Sequence, residues 1–329
     1  MFRSIGISIA FVMIAAVAGG EALAQAKPMK KLTVANGADV AFLHYFAAVK
    51  KGFFEKNGIQ VDSKLFDDGV TALDSLLTGN ADISAASEMA GVVRRARGGK
   101  LYVVATGAQS QNQIGMVVKE NFKQPKDLEG KKVGVVIGSG SHYFFDRYAK
   151  KYNVDQSKLT VVKVQPPEMV AALLRNDIDV AYIWNPWPAR ALATIPGTRV
   201  FARNGDNGVY FLHIYVYVSQ RMVDDPELMA SSLKALSEGA DWIRDPANLE
   251  EAAKISSQAI NIPIQDARNY VQNVFNWEIY YSPALKQNFA EVAAFAKEIN
   301  IIKETPNLDQ MIRPEFMQKT LPDKANRKQ

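Results

Sequence analysis

The pattern of apolar and polar positions along this chain contains two similar halves. A short apolar run that opens with two lysines and ends at a glycine occurs twice, at 30–37 and 131–138. Each copy precedes an aromatic run compatible with a helix, at 42–50 and 143–151. A buried strand that breaks at a glycine before a helix is typical of α/β structure. The pattern therefore predicts two α/β units built on one plan.

A second repeated pair continues this plan within each half. The segments 76–83 and 173–180 both carry two leucines and, at the same spacing, an aspartate followed by a β-branched residue. Each predicts the end of a helix, a tight turn and a new buried strand. Strands that alternate with helices form mostly parallel sheets, and ligands of such sheets bind at the carboxyl ends of the strands. We therefore expect two lobes with a ligand between them.

The domain boundaries follow from two predicted crossings between the lobes. The polar segment 121–129, which contains Pro125, predicts the first crossing, and the apolar strand 210–219 predicts the return. The sequence thus predicts a first lobe of residues 27–120 plus 216–329 and a second lobe of residues 121–215. Two crossings form a hinge. From Asp225 onward the pattern is helical, and we expect these helices to pack on the first lobe.

The first 26 residues have the pattern of a secretory signal peptide. Arg3 precedes an apolar stretch at 5–18, and small residues follow, with cleavage expected after Ala24 or Ala26. The stretch is shorter than the roughly 20 residues that a membrane-spanning helix requires. The chain has no cysteine, so neither a lipid-modified cleavage site nor a disulfide is available. The sequence predicts a soluble periplasmic protein, 1–26 being its signal peptide.

Two turns after strands are candidates for ligand contact. Ser139, Ser141 and His142 lie where a strand gives way to a helix, a place where free N–H groups and hydroxyls can hold an anion or where a serine simply caps the helix. The equivalent turn of the first half contains Asp39, Val40 and Phe42. Asp39 can cap its helix or bind a ligand amine.

The ends of two further strands provide a second group of candidates. Ser87 and Glu88 end one strand, and Trp184, Asn185 and Trp187 end its equivalent in the other half. Indoles at a strand end commonly form one wall of a small-molecule pocket, but they can also pack on a neighbouring helix. Glu88 is a carboxylate beside an apolar strand, where it must be paired, solvated or functional; an acid at a helix N-terminus is the simpler role.

Composition adds one more candidate and excludes several classes. Gln109 and Gln111 belong to an uncharged hydrogen-bonding run near the predicted hinge and are candidate ligand contacts. The net charge of +5 is spread along the chain and indicates neither a nucleic acid nor a membrane partner. The histidines show no metal spacing, and no nucleotide-binding or hydrolase motif is present, so we expect no metal and no cofactor, although the absence of motifs does not exclude an enzyme. A set of His142, Asp39 and Ser87 could assemble in space, but the spacing does not favour it.

With these residues in view, the chain resembles the periplasmic solute-binding proteins of ABC importers, in the branch that binds aliphatic sulfonates, taurine and nitrate. The resemblance rests on the segments 48–59, 76–82, 138–142 and 184–186. It implies a type II periplasmic binding protein fold: an α/β chain of two lobes, each a mostly parallel sheet flanked by helices, with two crossing segments as a hinge. It also implies delivery of the ligand to a membrane permease, and no catalysis. We expect the protein to be a monomer.

The resemblance further implies the site. Carried over position by position, the family's pocket corresponds to residues 38–42, 87–88, 139, 141, 142, 184 and 185. The family commonly has an acidic residue where Asn185 stands, which bears on the choice of ligand. A small organic anion or zwitterion is expected, an aliphatic sulfonate or taurine first. The alternatives are a pyrimidine, an aromatic acid, a nitrate-like ligand, an enzyme on the same fold, or the effector domain of a transcription regulator.

Overall fold

Two mixed β-sheets flanked by helices form the architecture of this protein. The computed structural model describes residues 28–327, and the predicted signal peptide at 1–26 lies outside the described residues. The strands are β1 (Lys30–Gly37), β2 (Ile59–Phe66), β3 (Ile83–Ser87), β4 (Leu101–Ser110), β5 (Ile114–Lys119), β6 (Lys132–Val135), β7 (Thr160–Lys163), β8 (Val180–Trp184), β9 (Thr198–Arg203), β10 (Leu212–Ser219) and β11 (Asn276–Tyr280).

Helices follow most of these strands, as the sequence pattern predicts. They are α1 (Leu43–Lys50), α2 (Phe53–Lys56), α3 (Gly69–Leu77), α4 (Glu88–Ala96), α5 (Gly140–Lys151), α6 (Pro166–Arg175), α7 (Trp187–Thr194), α8 (Gln220–Asp224), α9 (Pro226–Arg244), α10 (Leu249–Ile260), α11 (Ile264–Asn273), α12 (Ala284–Glu298), α13 (Leu308–Met311) and α14 (Glu315–Thr320). In the described part of the chain, none of them has the length and hydropathy needed to cross a membrane.

The strand order shows that the two sheets share one plan. Within residues 28–327 the first sheet has the order β11-β4-β10-β3-β1-β2, and the second has the order β7-β6-β8-β5-β9. In the first sheet β1 lies parallel to both β2 and β3, and in the second β6 lies parallel to both β7 and β8. In each sheet an antiparallel strand, β10 or β5, then pairs with β3 or β8. The sheets are therefore mixed rather than mostly parallel as predicted, because β10 and β5 also pair antiparallel with the strand on their other side. The repeated sequence pattern therefore corresponds to a repeated set of strands.

The helices after residue 225 pack on the first sheet's lobe, as expected. α9 packs against α1 and β11, and α12 packs against α4. The sequence analysis assigned no strand to 276–280, but β11 pairs with the outer edge of β4. Trp277 and Ile279 are buried there, because an edge strand covered by α9 can have an apolar face without a long apolar run.

The crossings between the lobes lie elsewhere than predicted. The predicted first lobe includes 114–119, whereas β5 pairs with β8 and β9 of the second sheet. The reason is that Met116 and Val117 are fully buried and need a partner strand on each side. All of β10 belongs to the first sheet, so the return precedes residue 212. The crossing segments are therefore the short stretches 111–113 and 204–211, not 121–129 and 210–219.

Candidate functional site

The starts of four helical segments converge on one small cavity between the two sheets. Asp39 begins a 3-10 turn, Gly69 is the first residue of α3, Ser87 is the N-cap of α4, and Ser139 is the N-cap of α5. The cavity has a volume of about 50 Å³. Its lining is Asp39, Phe42, Gly69, Val70, Ala86, Ser87, Gln113, Ile114, Ser139, Gly140, Ser141, Trp184, Leu212 and Ile214.

This arrangement favours an anionic group. A helix N-terminus carries unsatisfied N–H groups and a partial positive charge, so several N-termini aimed at one space stabilise an anion there. Among the described residues that line the cavity, none carries a full positive charge. The cavity volume corresponds to about three to five water molecules at about 10–15 Å³ each, so the space suits a small ligand.

Asp39 is the only carboxylate among the described residues that line this cavity. Its Oδ1 accepts hydrogen bonds from the Ala41 N–H at 2.8 Å and from Gln113 Nε2 at 2.8 Å, and its Oδ2 accepts from Gln113 Nε2 at 3.0 Å. Burial raises the pKa of Asp39 from 3.8 to about 7, although these hydrogen bonds oppose the rise. Near neutral pH the carboxyl group is therefore poised between its neutral and ionised forms.

Gln113 lines the cavity and bonds Asp39, but it is not among the site residues predicted from the sequence. It is buried in the first crossing segment, and its Oε1 accepts a hydrogen bond from Asn185 Nδ2 at 3.3 Å. The Asn185 N–H also bonds the Gln113 carbonyl at 2.9 Å. One amide thus connects Asp39 of the first lobe with the turn after β8 of the second. The available signal was its position: Gln113 is the last polar residue before an apolar strand.

The serines at the start of α5 are held in place by their own turn. Ser139 Oγ donates to the Val136 carbonyl at 2.7 Å and accepts from the Ser141 N–H at 3.1 Å. Ser141 Oγ accepts from the Val136 N–H at 3.2 Å and lies 3.0 Å from Ser139 Oγ. Ser87 Oγ, in contrast, forms no cap bond with α4. The Ser87 hydroxyl is therefore free of the capping role that occupies Ser139.

Close packing of backbone shapes the floor of the cavity. A side chain at Gly69 would place its Cβ 2.8 Å from Phe42 Cζ, and one at Gly37 would place it 2.4 Å from the Gly69 nitrogen. Both glycines are needed because β1 and the start of α3 approach each other directly. Trp184 also lines the cavity, where it is half-buried and packs against both apolar clusters: the larger one, which spans the two lobes, and the smaller one within the second lobe.

The structure brings six of the twelve predicted site residues to the cavity lining: Asp39, Phe42, Ser87, Ser139, Ser141 and Trp184. The other six are Val40, Glu88, Gln109, His142, Asn185 and Trp187, and they lie outside that lining. Val40 is fully buried in the core, and Gln109 accepts a hydrogen bond from the Tyr280 hydroxyl on β11. Gln111, also a candidate, is exposed in the first crossing segment.

His142 and Trp187, two of the predicted site residues outside the cavity lining, contact other side chains of the fold. His142 is buried, with Nδ1 3.5 Å from the Gly138 nitrogen and its ring 6.0 Å from that of Phe295. Burial lowers the pKa of His142 to about 4, so the imidazole is neutral at pH 7. Trp187 begins α7, and the Arg190 guanidinium lies 4.5 Å from the centre of its indole ring.

Glu88 points into a different environment from that of Ser87. Its Oε1 accepts a 2.6 Å hydrogen bond from the Tyr210 hydroxyl of the return crossing. Burial raises the pKa of Glu88 from 4.5 to about 7, against the opposing effect of that bond. It lines a second cavity of about 220 Å³ together with Tyr143, Arg147 and Glu291. Among residues 28–327, no group of three or more His, Cys, Asp or Glu side chains is arranged to hold a metal.

Comparison with known proteins agrees with this geometry. The structure superposes on the alkanesulfonate-binding protein SsuA from Xanthomonas axonopodis pv. citri, bound to MOPS, with a TM-score of 0.76 at 16% identity, covering 88% of this chain and 99% of that one. The fold is therefore that of the two-lobed periplasmic binding proteins, as predicted. The model of the NMT1/THI5-like family matches residues 39–248, and the chain belongs to this family.

Two further similarities define the range of functions on this fold. The taurine-binding periplasmic protein of Escherichia coli (strain K12) is 25% identical over 213 residues, which cover 62% of this chain and 66% of the relative, just under two thirds of its length. The desulfurization enzyme DSZB superposes with a TM-score of 0.66 at 16% identity, over 89% of this chain and 99% of that one. The fold thus occurs in both a binding protein and an enzyme.

Proposed function

We propose that this protein is the exported substrate-binding component of an ABC importer and that it captures a small sulfonate, with taurine as the first candidate. Its family, the taurine-binding relative and the two-lobed fold support the class. The ligand binds in the cavity between the lobes and is delivered to permease subunits in the membrane. The protein acts as a monomer in the periplasm and does not transform its ligand.

The observation that carries the choice of ligand is the position of Asp39 among the helix N-termini. Taurine has a sulfonate at one end, an ammonium at the other and two methylene groups between them. The N-terminus of α5 and the Ser87 hydroxyl at the start of α4 suit the sulfonate, whereas the Asp68 carboxylate already caps α3. The buried Asp39 carboxylate suits the ammonium. Trp184 provides an apolar wall for the methylenes.

A lining with one titratable carboxyl group and, among the described residues, no cationic side chain explains how the site can distinguish ligands. A sulfonate without an amine places its anion near Asp39, where an ionised carboxylate repels it. Such a ligand is bound best when Asp39 is protonated. Taurine instead gains an ion pair when Asp39 is ionised. The same carboxyl group therefore favours two ligand classes at different pH values.

The mechanism that follows is closure of the two lobes on the ligand. Ser139, Ser141 and Trp184 belong to the second lobe, and Asp39 and Ser87 belong to the first, so a ligand that contacts both sides stabilises the closed form. The Gln113 amide, which bonds both Asp39 and Asn185, connects the lobes at the crossing. Closure presents both lobes to the permease in one relative orientation.

The test is isothermal titration of the protein with taurine and with ethanesulfonate at pH 6 and pH 8. For a carboxyl group with a pKa of about 7, the ionised fraction rises about tenfold between these pH values. We expect taurine to bind about tenfold more tightly at pH 8, and ethanesulfonate about tenfold more tightly at pH 6. Equal pH dependence for the two ligands would contradict the assigned role of Asp39. Absence of binding by either would contradict the sulfonate class.

A further inference from the structure

A groove at the junction of the two lobes lies immediately outside the ligand cavity. It has a volume of about 270 Å³ and is formed by α3 and α4 of the first lobe and by the turns after β6 and β7 of the second. Val70 lines both the groove and the cavity, and Gly138 of the groove directly precedes Ser139 of the cavity. We call this groove the vestibule.

The vestibule has an excess of positive charge. Arg94, Arg97 and Lys163 line it, with Asp74 as the carboxylate among its described lining residues. Arg94 neutralises Asp74, because its Nε lies 2.6 Å from Asp74 Oδ1 and its second terminal nitrogen lies 2.8 Å from Oδ2. Arg97 and Lys163 are exposed, and within residues 28–327 no carboxylate lies within ion-pair distance of either one.

The two exposed cations, Arg97 and Lys163, lie on opposite sides of the lobe junction. Arg97 follows the last turn of α4 in the first lobe, and Lys163 ends β7 in the second, so an anion at the lobe junction meets a positive charge from each side. Charges of one sign around a cleft raise the local concentration of an oppositely charged ligand and its association rate. The cavity itself contains no cationic side chain among the described residues. Long-range attraction of an anion therefore comes from the vestibule, and short-range binding comes from the cavity.

We propose that the vestibule captures net-anionic sulfonates, those without an amine, from solution and steers them to the cavity before the lobes close. The proposal rests on the function proposed above for the identity of the ligand. The exposed cations of the vestibule act at long range and set the association rate. The helix N-termini of the cavity act at short range and set the dissociation rate. A net-anionic sulfonate gains from this steering, whereas zwitterionic taurine, with no net charge, gains little.

The experiment is stopped-flow measurement of tryptophan fluorescence with ethanesulfonate at pH 6. The variant is Arg97→Gln/Lys163→Gln, and the matched control is Lys234→Gln/Lys254→Gln, which removes two exposed lysines from α9 and α10 outside the vestibule. At 10 mM ionic strength, where the screening length is about 30 Å, we expect the variant to lose about fivefold in association rate with an unchanged dissociation rate. We expect the control to lose less than about 1.5-fold.

Higher ionic strength and a second ligand, taurine, test whether the change in association rate is electrostatic. At 150 mM ionic strength the screening length falls to about 8 Å, and the difference between variant and wild type should shrink below twofold. The association rate of taurine should change less than twofold in either double variant. An association rate for ethanesulfonate equal to that of the wild type at 10 mM ionic strength would overturn the vestibule.

A sulfate titration followed by amide NMR separates this proposal from the function on which it rests. Sulfate alone should shift the signals of Arg97, Gly138 and Lys163 together in the wild type, and the Gly138 signal should stay in place in the double variant. Sulfate shifts at these residues without any binding of sulfonate or taurine would support anion capture by the vestibule and overturn both the proposed function and the sulfonate as the captured ligand. An absence of sulfate shifts in the wild type would overturn the vestibule whatever the cavity binds.

Discussion

The two lobes repeat one arrangement of strands but bring opposite chemistry to the space between them. In the first lobe the turn after β1 carries Asp39, and the end of β3 leads into Glu88. In the second lobe the equivalent turn after β6 carries Ser139, and the equivalent strand β8 ends at Trp184. Both acids thus belong to the first lobe, and the second lobe contributes only hydroxyls, N–H groups and an indole at these positions.

This difference shows how a repeated fold can make an asymmetric site. A pair of identical lobes would offer the same groups to both ends of a ligand. Here one lobe presents a buried carboxyl group and the other an uncharged helix N-terminus, so a ligand with unlike ends has one preferred orientation. The asymmetry depends on very few side chains. Replacing them one at a time should therefore show which acid affects ligand affinity and which affects the stability of the fold.

The largest effect is expected from Asp39→Asn. Asparagine keeps the cap on the Ala41 N–H but removes the charge that pairs with an ammonium, and breaking a buried ion pair costs about 3–5 kcal/mol. We expect taurine affinity at pH 8 to fall about a thousandfold, or about 4 kcal/mol. Isothermal titration measures this change.

Ethanesulfonate is the internal control for that variant. At pH 6 Asp39 is mostly neutral in the wild type, so the substituted amide resembles it, and ethanesulfonate affinity should stay within threefold. The pH dependence of ethanesulfonate binding should also disappear. Taurine affinity close to that of the wild type would show that the ammonium is bound elsewhere.

The second effect concerns the other acid, Glu88, and it is a change in stability. Its pKa of about 7 lies above its ordinary value of 4.5, so between these pH values the folded protein holds a proton that the unfolded chain releases. The contribution of Glu88 to stability is therefore lost as the pH rises through this window. Glu88→Gln cannot ionise, and we expect its stability relative to the wild type to improve by about 2 kcal/mol between pH 5 and pH 8.

Urea unfolding of both proteins at the two pH values measures that difference. The buried histidines His44, His142 and His213, whose pKa values burial lowers to about 3, 4 and 4, oppose this trend but are common to both proteins and cancel. Taurine affinity should change less than twofold, because Glu88 lies outside the cavity lining. A large loss of taurine affinity would instead assign Glu88 to the ligand.

The repeated strand plan could be predicted from sequence because it depends on local apolar patterns. Both parallel units, and the packing of the later helices on the first lobe, are present in the structure. The crossings were misplaced because β5 and β10 are both almost entirely buried, and nothing local distinguishes a strand that stays in one sheet from one that joins the other. That choice is made by pairing between residues far apart, such as Met116 with Tyr182.

The sequence predicts which strand ends form the candidate site, but it does not predict which side chains at those ends line the cavity. Ser87 and Glu88 are neighbours in sequence, yet only Ser87 lines the cavity, since the Tyr210 hydroxyl bonds the Glu88 carboxylate on the other side of the return crossing. Gln113 was missed for the same reason. It stood in a polar run with Gln109 and Gln111, and only the fold shows which of the three glutamines meets Asp39.

The smallest effect is expected at the wall of the second lobe, from Trp184→Ala. The indole lines the cavity where it would cover the two methylenes of taurine, each worth about 0.8 kcal/mol when buried. We therefore expect a loss of about tenfold in taurine affinity by isothermal titration, together with a lower thermal midpoint of the free protein, because the half-buried indole packs against both apolar clusters. Trp187→Ala is the matched control, since this second indole lies three residues on, against Arg190 and outside the cavity. It should leave taurine affinity within twofold. Equal losses in the two variants would mean that the turn after β8 acts through its packing, and the second lobe would then contribute only the start of α5 to the ligand.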